Sequence, residues 1–132
     1  GSGVLAVAAA ALGAVSVVAL DIDLLATWEA RRTVLAQSGS NRPVVVAGGI
    51  ESLGDAAFEL VLCNMTLTEV GPLLRDVRRV LAPGGLSVLS GLLATERDEV
   101  VAVLHEHDLI VDGDRGLGEW IDIVARRPSE QR

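Results

Sequence analysis

An α/β fold built on a mostly parallel sheet is what this sequence predicts, and three observations carry the prediction. Helix-period and strand-like patterns alternate from the first residues to about residue 112. The runs VSVVAL (15–20) and PVVVAG (43–48) are short and β-branched with almost no polar alternation, as strands covered on both faces are. Loops rich in Gly, Asp or Asn follow the strands at Asp21–Asp23, Gly48–Glu51, Asn64–Thr68 and Ser90–Gly91, the places where open α/β sheets hold ligands.

Each element follows from its own pattern. Val4–Leu12 is Ala-rich and apolar all round, which predicts a short helix buried against a sheet, with Gly13 to stop it. VSVVAL is the next strand. Leu24, Leu25, Trp28 and Leu35 then share one side of a predicted helix, with Trp28 packed inward, and SGSNRP (38–43) breaks it. After PVVVAG comes a third strand, FELVLC (58–63), with Asn64 at its carboxyl end. Val70, Leu73, Leu74, Val77, Val80 and Leu81 recur at helical spacing up to Pro83-Gly84-Gly85, and LSVLS (86–90) is a strand. Thr95 with Asp98 can start a helix through Leu104, and LIVD (109–112) and the alternating EWIDIVA (119–125) complete the sheet.

The 132 residues suffice for one core, so residues 1–127 are expected to form one domain and 128–132 a flexible tail. Half the residues are apolar but only 2% are aromatic, so the core is aliphatic. A net charge of −7, with basic residues no denser than the pairs Arg31/Arg32, Arg78/Arg79 and Arg126/Arg127, argues against a sequence-independent grip on nucleic acid. The lone Cys63 reads as a small core residue of a reducing compartment, which points to the cytoplasm. Residues 4–20 approach the length of a membrane span, but Gly13 and Ser16 interrupt them, no basic residue precedes them and acidic residues close them. His105 and His107 are two apart, the wrong spacing for two metal ligands on one helical face. No Ser/His/Asp or Cys/His set stands out.

Gly1-Ser2-Gly3-Val4-Leu5-Ala6 matches G-x-G-x-x-A, in which absent side chains let backbone N–H groups at a helix start approach a ligand. Asp21 follows 20 residues after Gly1 at the end of the next strand, where a carboxylate can accept hydrogen bonds from a ribose diol. The pair points to a nucleoside-containing cofactor and leaves S-adenosyl-L-methionine and NAD(P) both open. A tight turn beside a helix-capping aspartate would look the same.

The later segments discriminate. FELVLCNMTLTEVGPLLRDVRRVLAPGGLSVLSGLL, followed by GEWIDIVARR, resembles the catalytic domain of the ribosomal protein L-eleven methyltransferase (PrmA) family, class I S-adenosylmethionine-dependent enzymes. Gly-Glu-Trp and Ser-Gly-Leu-Leu are the more specific parts of the match; Pro-Gly-Gly is shared with many methyltransferases. The opening GSGVLA and ALDID also resemble that family's cofactor loop and acidic loop.

The resemblance implies a Rossmann-like class I methyltransferase sheet, mostly parallel with an antiparallel C-terminal strand. It implies S-adenosyl-L-methionine as cofactor and, as activity, methyl transfer to protein amine nitrogens, with a ribosomal protein as partner. Neither nucleic acid nor membrane is expected as a partner, and nothing in the sequence sets an oligomeric state. By the same resemblance Gly1 and Gly3 would pass the methionine part of the cofactor. Asp21, with Ile22 beside it, would hold the ribose hydroxyls, Gly49 and Ile50 would lie near the adenine, and Asn64 would face the reacting centre. The family's first, central strand, its leading acidic residue and its amino-terminal substrate module have no counterpart here, so the chain is expected to be an N-terminally truncated catalytic domain. Leu24 stands where the family commonly has Pro, and AQSGS replaces an Asn-rich helix end. Two other functions are compatible with the opening motif: an NAD(P)-binding Rossmann domain of an oxidoreductase, and a non-catalytic Rossmann-like scaffold.

Overall fold

The structure is a computed structural model and describes residues 1–130. The chain divides into two compact units, Gly1–Ser52 and Leu53–Arg132, and its strands form two hydrogen-bonded sheets.

The first unit contains helix α1 (Val4–Ala11), strand β1 (Val18–Asp21), helix α2 (Leu24–Leu35), strand β2 (Val44–Ala47) and a 3-10 turn at Ile50–Ser52. β1 and β2 pair in parallel from Val18↔Val44 to Asp21↔Ala47, so their carboxyl ends are level. Asp23 caps α2: its carboxylate accepts the Leu25 N–H at 2.9 Å, satisfying a donor that a helix start otherwise leaves open.

The second unit contains β3 (Phe58–Asn64), α3 (Leu67–Val70), α4 (Leu74–Val80), β4 (Leu81–Leu93), α5 (Arg97–Glu106), β5 (Ile110–Leu117) and β6 (Trp120–Arg126). The sheet order is β3-β4-β6-β5; β3 and β4 are parallel, and β6 runs antiparallel to both neighbours. Three strands thus share a direction and the last one opposes them, as the resemblance implies. Thr66 and Glu69 form a reciprocal capping box at α3. The apolar period read from sequence becomes the core: Val70, Leu74, Val77, Val80 and Leu81 are buried with Leu89, Leu92, Leu104 and Ile123. Alternation in β6 holds residue by residue, with Ile121, Ile123 and Ala125 inward.

Several expectations are corrected. The run 4–20 forms a helix and a strand as expected, but the helix is not buried: α1 has no buried residue, and β1 starts at Val18 rather than Val15, which is 90% exposed. No helix among the described residues is long and apolar enough to cross a membrane. On α2 the buried residues are Thr27, Ala30 and Val34, whereas Leu24, Leu25, Trp28 and Leu35 are exposed. Trp28 is therefore not packed inward. Pro83-Gly84-Gly85 does not separate helix from strand; α4 passes directly into β4, and the glycines sit in a register shift where Phe58 pairs Leu81 but Leu60 pairs Leu86. α5 begins at Arg97 after a 3-10 turn at Ala94–Glu96, two residues beyond Thr95. Residues 128–130 carry no regular structure; the rest of the expected tail, 131–132, lies outside the described residues.

Candidate functional site

In the first unit the sequence-predicted residues gather at the carboxyl edge of the β1–β2 pair. Asp21 ends β1. Its Oδ2 accepts from the Gly1 amino group and its Oδ1 from the Asp23 N–H at 2.9 Å. The bond from the Asp23 N–H favours the ionised form of the Asp21 carboxyl. The Asp21 carbonyl accepts the Gly48 N–H at 3.0 Å, which fixes the loop after β2 beside the acidic loop after β1. Ile22 is 82% exposed at this edge, and Ile50 is half-buried in the 3-10 turn that follows Gly48-Gly49. A side chain at Gly49 would run into the Glu51 carboxylate. An ionised acceptor between two aliphatic side chains suits a ligand with a diol and a flat apolar ring.

Gly3 also has a packing role. It adopts φ +83° ahead of α1, and a Cβ there would lie 3.0 Å from Ala30 Cα and 3.2 Å from Ala30 Cβ on α2. Its missing side chain lets α2 come close to the chain entering α1. Within G-x-G-x-x-A, Gly3 thus sets the approach of α2 to the start of α1.

Asn64 lies in the second unit, at the carboxyl end of β3 opposite Ser90, and is exposed. The Met65 N–H donates to the Ser90 carbonyl at 2.9 Å. The chain then turns at Gly91, φ +84°, where a Cβ would fall 2.9 Å from Asn64 Oδ1 and 3.0 Å from the Met65 carbonyl oxygen. Only a glycine admits Asn64 in this position. Trp120 stands further along the same end, paired with Leu93, and is 50% exposed. Burial raises the Cys63 thiol to about 11, so it stays protonated and unreactive near neutral pH.

Two residues that position the site were not read as such from sequence. Thr27 is 2% exposed, and its hydroxyl donates to the Asp23 carbonyl at 3.0 Å and the Asp21 carbonyl at 3.4 Å, bracing the acidic loop from α2. Its signal was present as a threonine four residues after the capping aspartate. Gly91 was visible within Ser-Gly-Leu-Leu, but its contact with Asn64 joins positions 27 residues apart. No group of three or more His, Cys, Asp or Glu among the described residues could hold a metal ion.

In sequence and fold the chain is similar to known proteins. The ribosomal protein L11 methyltransferase of Pelotomaculum thermopropionicum is 35% identical over 126 residues, which cover 96% of this chain and 41% of that protein. The chain spans about two fifths of the length of the curated relatives it matches. Among solved structures, the ribosomal protein L11 methylase of Lactobacillus delbrueckii subsp. bulgaricus superposes with a TM-score of 0.88 at 26% identity, over 97% of this chain and 66% of that one. An S-adenosylmethionine-dependent methyltransferase from Mesorhizobium loti shares the fold, with a TM-score of 0.76 at 16% identity over 96% of this chain and 87% of that one. The family model described as ribosomal protein L11 methyltransferase (PrmA) matches residues 1–128, and the chain belongs to that family.

Proposed function

We propose that this chain is the cofactor-binding part of an S-adenosyl-L-methionine-dependent protein methyltransferase, with residues 1–127 as the methyltransferase domain and 128–132 as its tail. The acceptor is an amine nitrogen of a ribosomal protein, a lysine side chain or an N-terminal amine, and the reaction takes place in the cytoplasm. The observation that carries the reading is the carboxyl edge of β1–β2. There an ionised Asp21 sits beside Gly1, Ile22 and the Gly48–Ile50 loop, in a chain whose relatives are named ribosomal protein L11 methyltransferases.

The residues present fit the cofactor. Asp21 accepts from the ribose hydroxyls, where an ionised carboxylate makes the stronger, charge-assisted bonds. Ile22 and Ile50 offer aliphatic faces to the adenine, and Gly1 lies along the methionine part. When bound, the cofactor supplies a methyl group already activated on a sulfonium, so the protein needs to align and desolvate rather than to activate. Asn64 takes a positioning role at the acceptor. Its amide oxygen could accept an N–H of the incoming amine and so orient the acceptor nitrogen. The amine has to be neutral to attack, and the uncharged Asn64 does not stabilise its ammonium form as a carboxylate would.

Calorimetric titration with S-adenosylhomocysteine and with NAD tests the reading. Binding of S-adenosylhomocysteine is expected, weakened at least about tenfold by Asp21→Ala with little change in thermal midpoint, since a hydrogen bond to a charged group is worth about 1.5–3 kcal/mol. Tighter binding of NAD, or an affinity indifferent to Asp21, would refute it. Asn64→Ala is expected to lower turnover while leaving S-adenosylhomocysteine affinity nearly unchanged.

A further inference from the structure

A second cluster of charged side chains lies in the second unit at the end where β3 begins, opposite Asn64. Seven residues of strand separate the two ends, a span of about 20 Å. A cleft of about 300 Å³ opens there, lined by Asp55, Arg75, Asp76, Arg78, Arg79 and Arg127. Four guanidiniums face two carboxylates, an excess of positive charge in a chain whose net charge is −7.

The four arginines divide into two pairs. Arg79 and Arg127 serve the fold. Arg79 Nε donates to Asp76 Oδ1 at 2.7 Å, and its guanidinium also reaches Asp55 Oδ1 at 2.7 Å and the Leu53 carbonyl at 2.8 Å. Arg127 donates to the carbonyls of Leu81 at 2.6 Å, Arg78 at 3.3 Å and Arg79 at 3.4 Å, and so covers the negative end of α4. Arg75 and Arg78 have no hydrogen-bonded partner among the described residues, and Arg78 Nε is buried without one. They stand three apart on α4, hence on one helical face. A buried guanidinium N–H left without an acceptor is costly. That buried Arg78 Nε and the exposed fork of Arg75 beside it, with the helix's own negative end already neutralised, match the oxygens of a tetrahedral or planar oxyanion.

We propose that this cleft is an oxyanion site for a phosphate group, bound by Arg75 and Arg78 and framed by Arg79 and Arg127, at the opposite end of β3 from Asn64. The phosphate is either that of a small free ligand or that of a nucleic-acid backbone, and the test has an arm for each. Pyrophosphate and a ten-nucleotide single-stranded RNA are titrated separately into the protein, followed by amide chemical shifts and calorimetry. Saturable binding of one probe is expected, with shifts centred on residues 75–79 and 127. Arg78→Gln should weaken it at least about tenfold, as should Arg75→Gln, whose exposed position makes a folding defect improbable as the cause. Pyrophosphate alone would identify a small-ligand site, and RNA alone a backbone contact. Failure of both probes to saturate below about 10 mM, or binding insensitive to both substitutions, would overturn the proposal. Neither readout involves S-adenosylhomocysteine, so the outcome is independent of the proposed methyl transfer.

Discussion

The two units use similar aliphatic sequences and end up with different interiors. In the second, helices and a four-stranded sheet bury Leu74, Leu81, Leu89, Leu92, Leu104 and Ile123 almost completely. In the first, Leu24, Leu25, Trp28 and Leu35 of α2 are each about two-thirds exposed or more, and the buried residues of that helix are small. Two parallel strands cannot close an apolar layer as four strands can, because a pair offers one narrow surface to its helices. The difference teaches that apolar content sets what could be buried, while the size of the sheet sets what is. The candidate cofactor edge therefore stands on the unit with the thinner core.

The contrast can be broken or sharpened by substitution. The largest effect is expected from Leu74→Ala, at roughly 2–5 kcal/mol for an emptied core position, set against a change within about 0.5 kcal/mol for the exposed Leu25→Ala. Urea denaturation measures both, and equal losses would erase the distinction.

Next come the two glycines that admit close neighbours. Gly91→Ala and Gly3→Ala each force a side chain onto a left-handed residue and against atoms about 3 Å away, at a cost of about 1–3 kcal/mol. Gly91→Ala should also lower turnover by displacing Asn64, whereas Gly3→Ala should act on stability first. A silent Gly91→Ala would remove the support for Asn64's placement.

Asp23→Ala removes the α2 cap and should cost about 1 kcal/mol in thermal or chemical unfolding. A loss confined to the first unit's amides in hydrogen exchange would sharpen the comparison. The smallest perturbation is chemical. With its thiol raised from 9.0 to about 11 by burial, Cys63 carries about a hundredfold less thiolate at pH 8 than an unshifted thiol. Ellman's reagent should therefore label it slowly until denaturant is added; rapid native labelling would show that the second unit is open at β3.

Legibility followed the same division. In the second unit the helical period from Val70 to Leu81 and the alternation in β6 named the buried residues, because there hydrophobicity and interior coincide. On α2 the same reasoning chose the wrong face. Its buried side faces a close backbone approach at Gly3, where Ala30 fits and a leucine would not, so small residues won over large ones. The carboxyl-edge site was legible in outline, since Asp21 and the loop glycines sit at strand ends. Arg75 and Arg78 were not, because a pair of arginines on a helix reads as a solvated face until one knows which of their neighbours are already engaged.

Sequence by itself determined the α/β class, the order of elements, the acidic and glycine loops at the strand ends, and the family. These rest on local periodicity and on motifs a few residues long, which survive without knowledge of the rest of the chain. Tertiary structure alone decided that the strands form two sheets, that Thr27 and Ala30 face inward on α2, that Gly91 makes room for Asn64, and that two of four clustered arginines have no hydrogen-bonded partner among the described residues. Each of those is a relation between residues far apart in sequence. It depends on distances of closest approach and on which polar groups are already satisfied, quantities that composition and spacing do not encode.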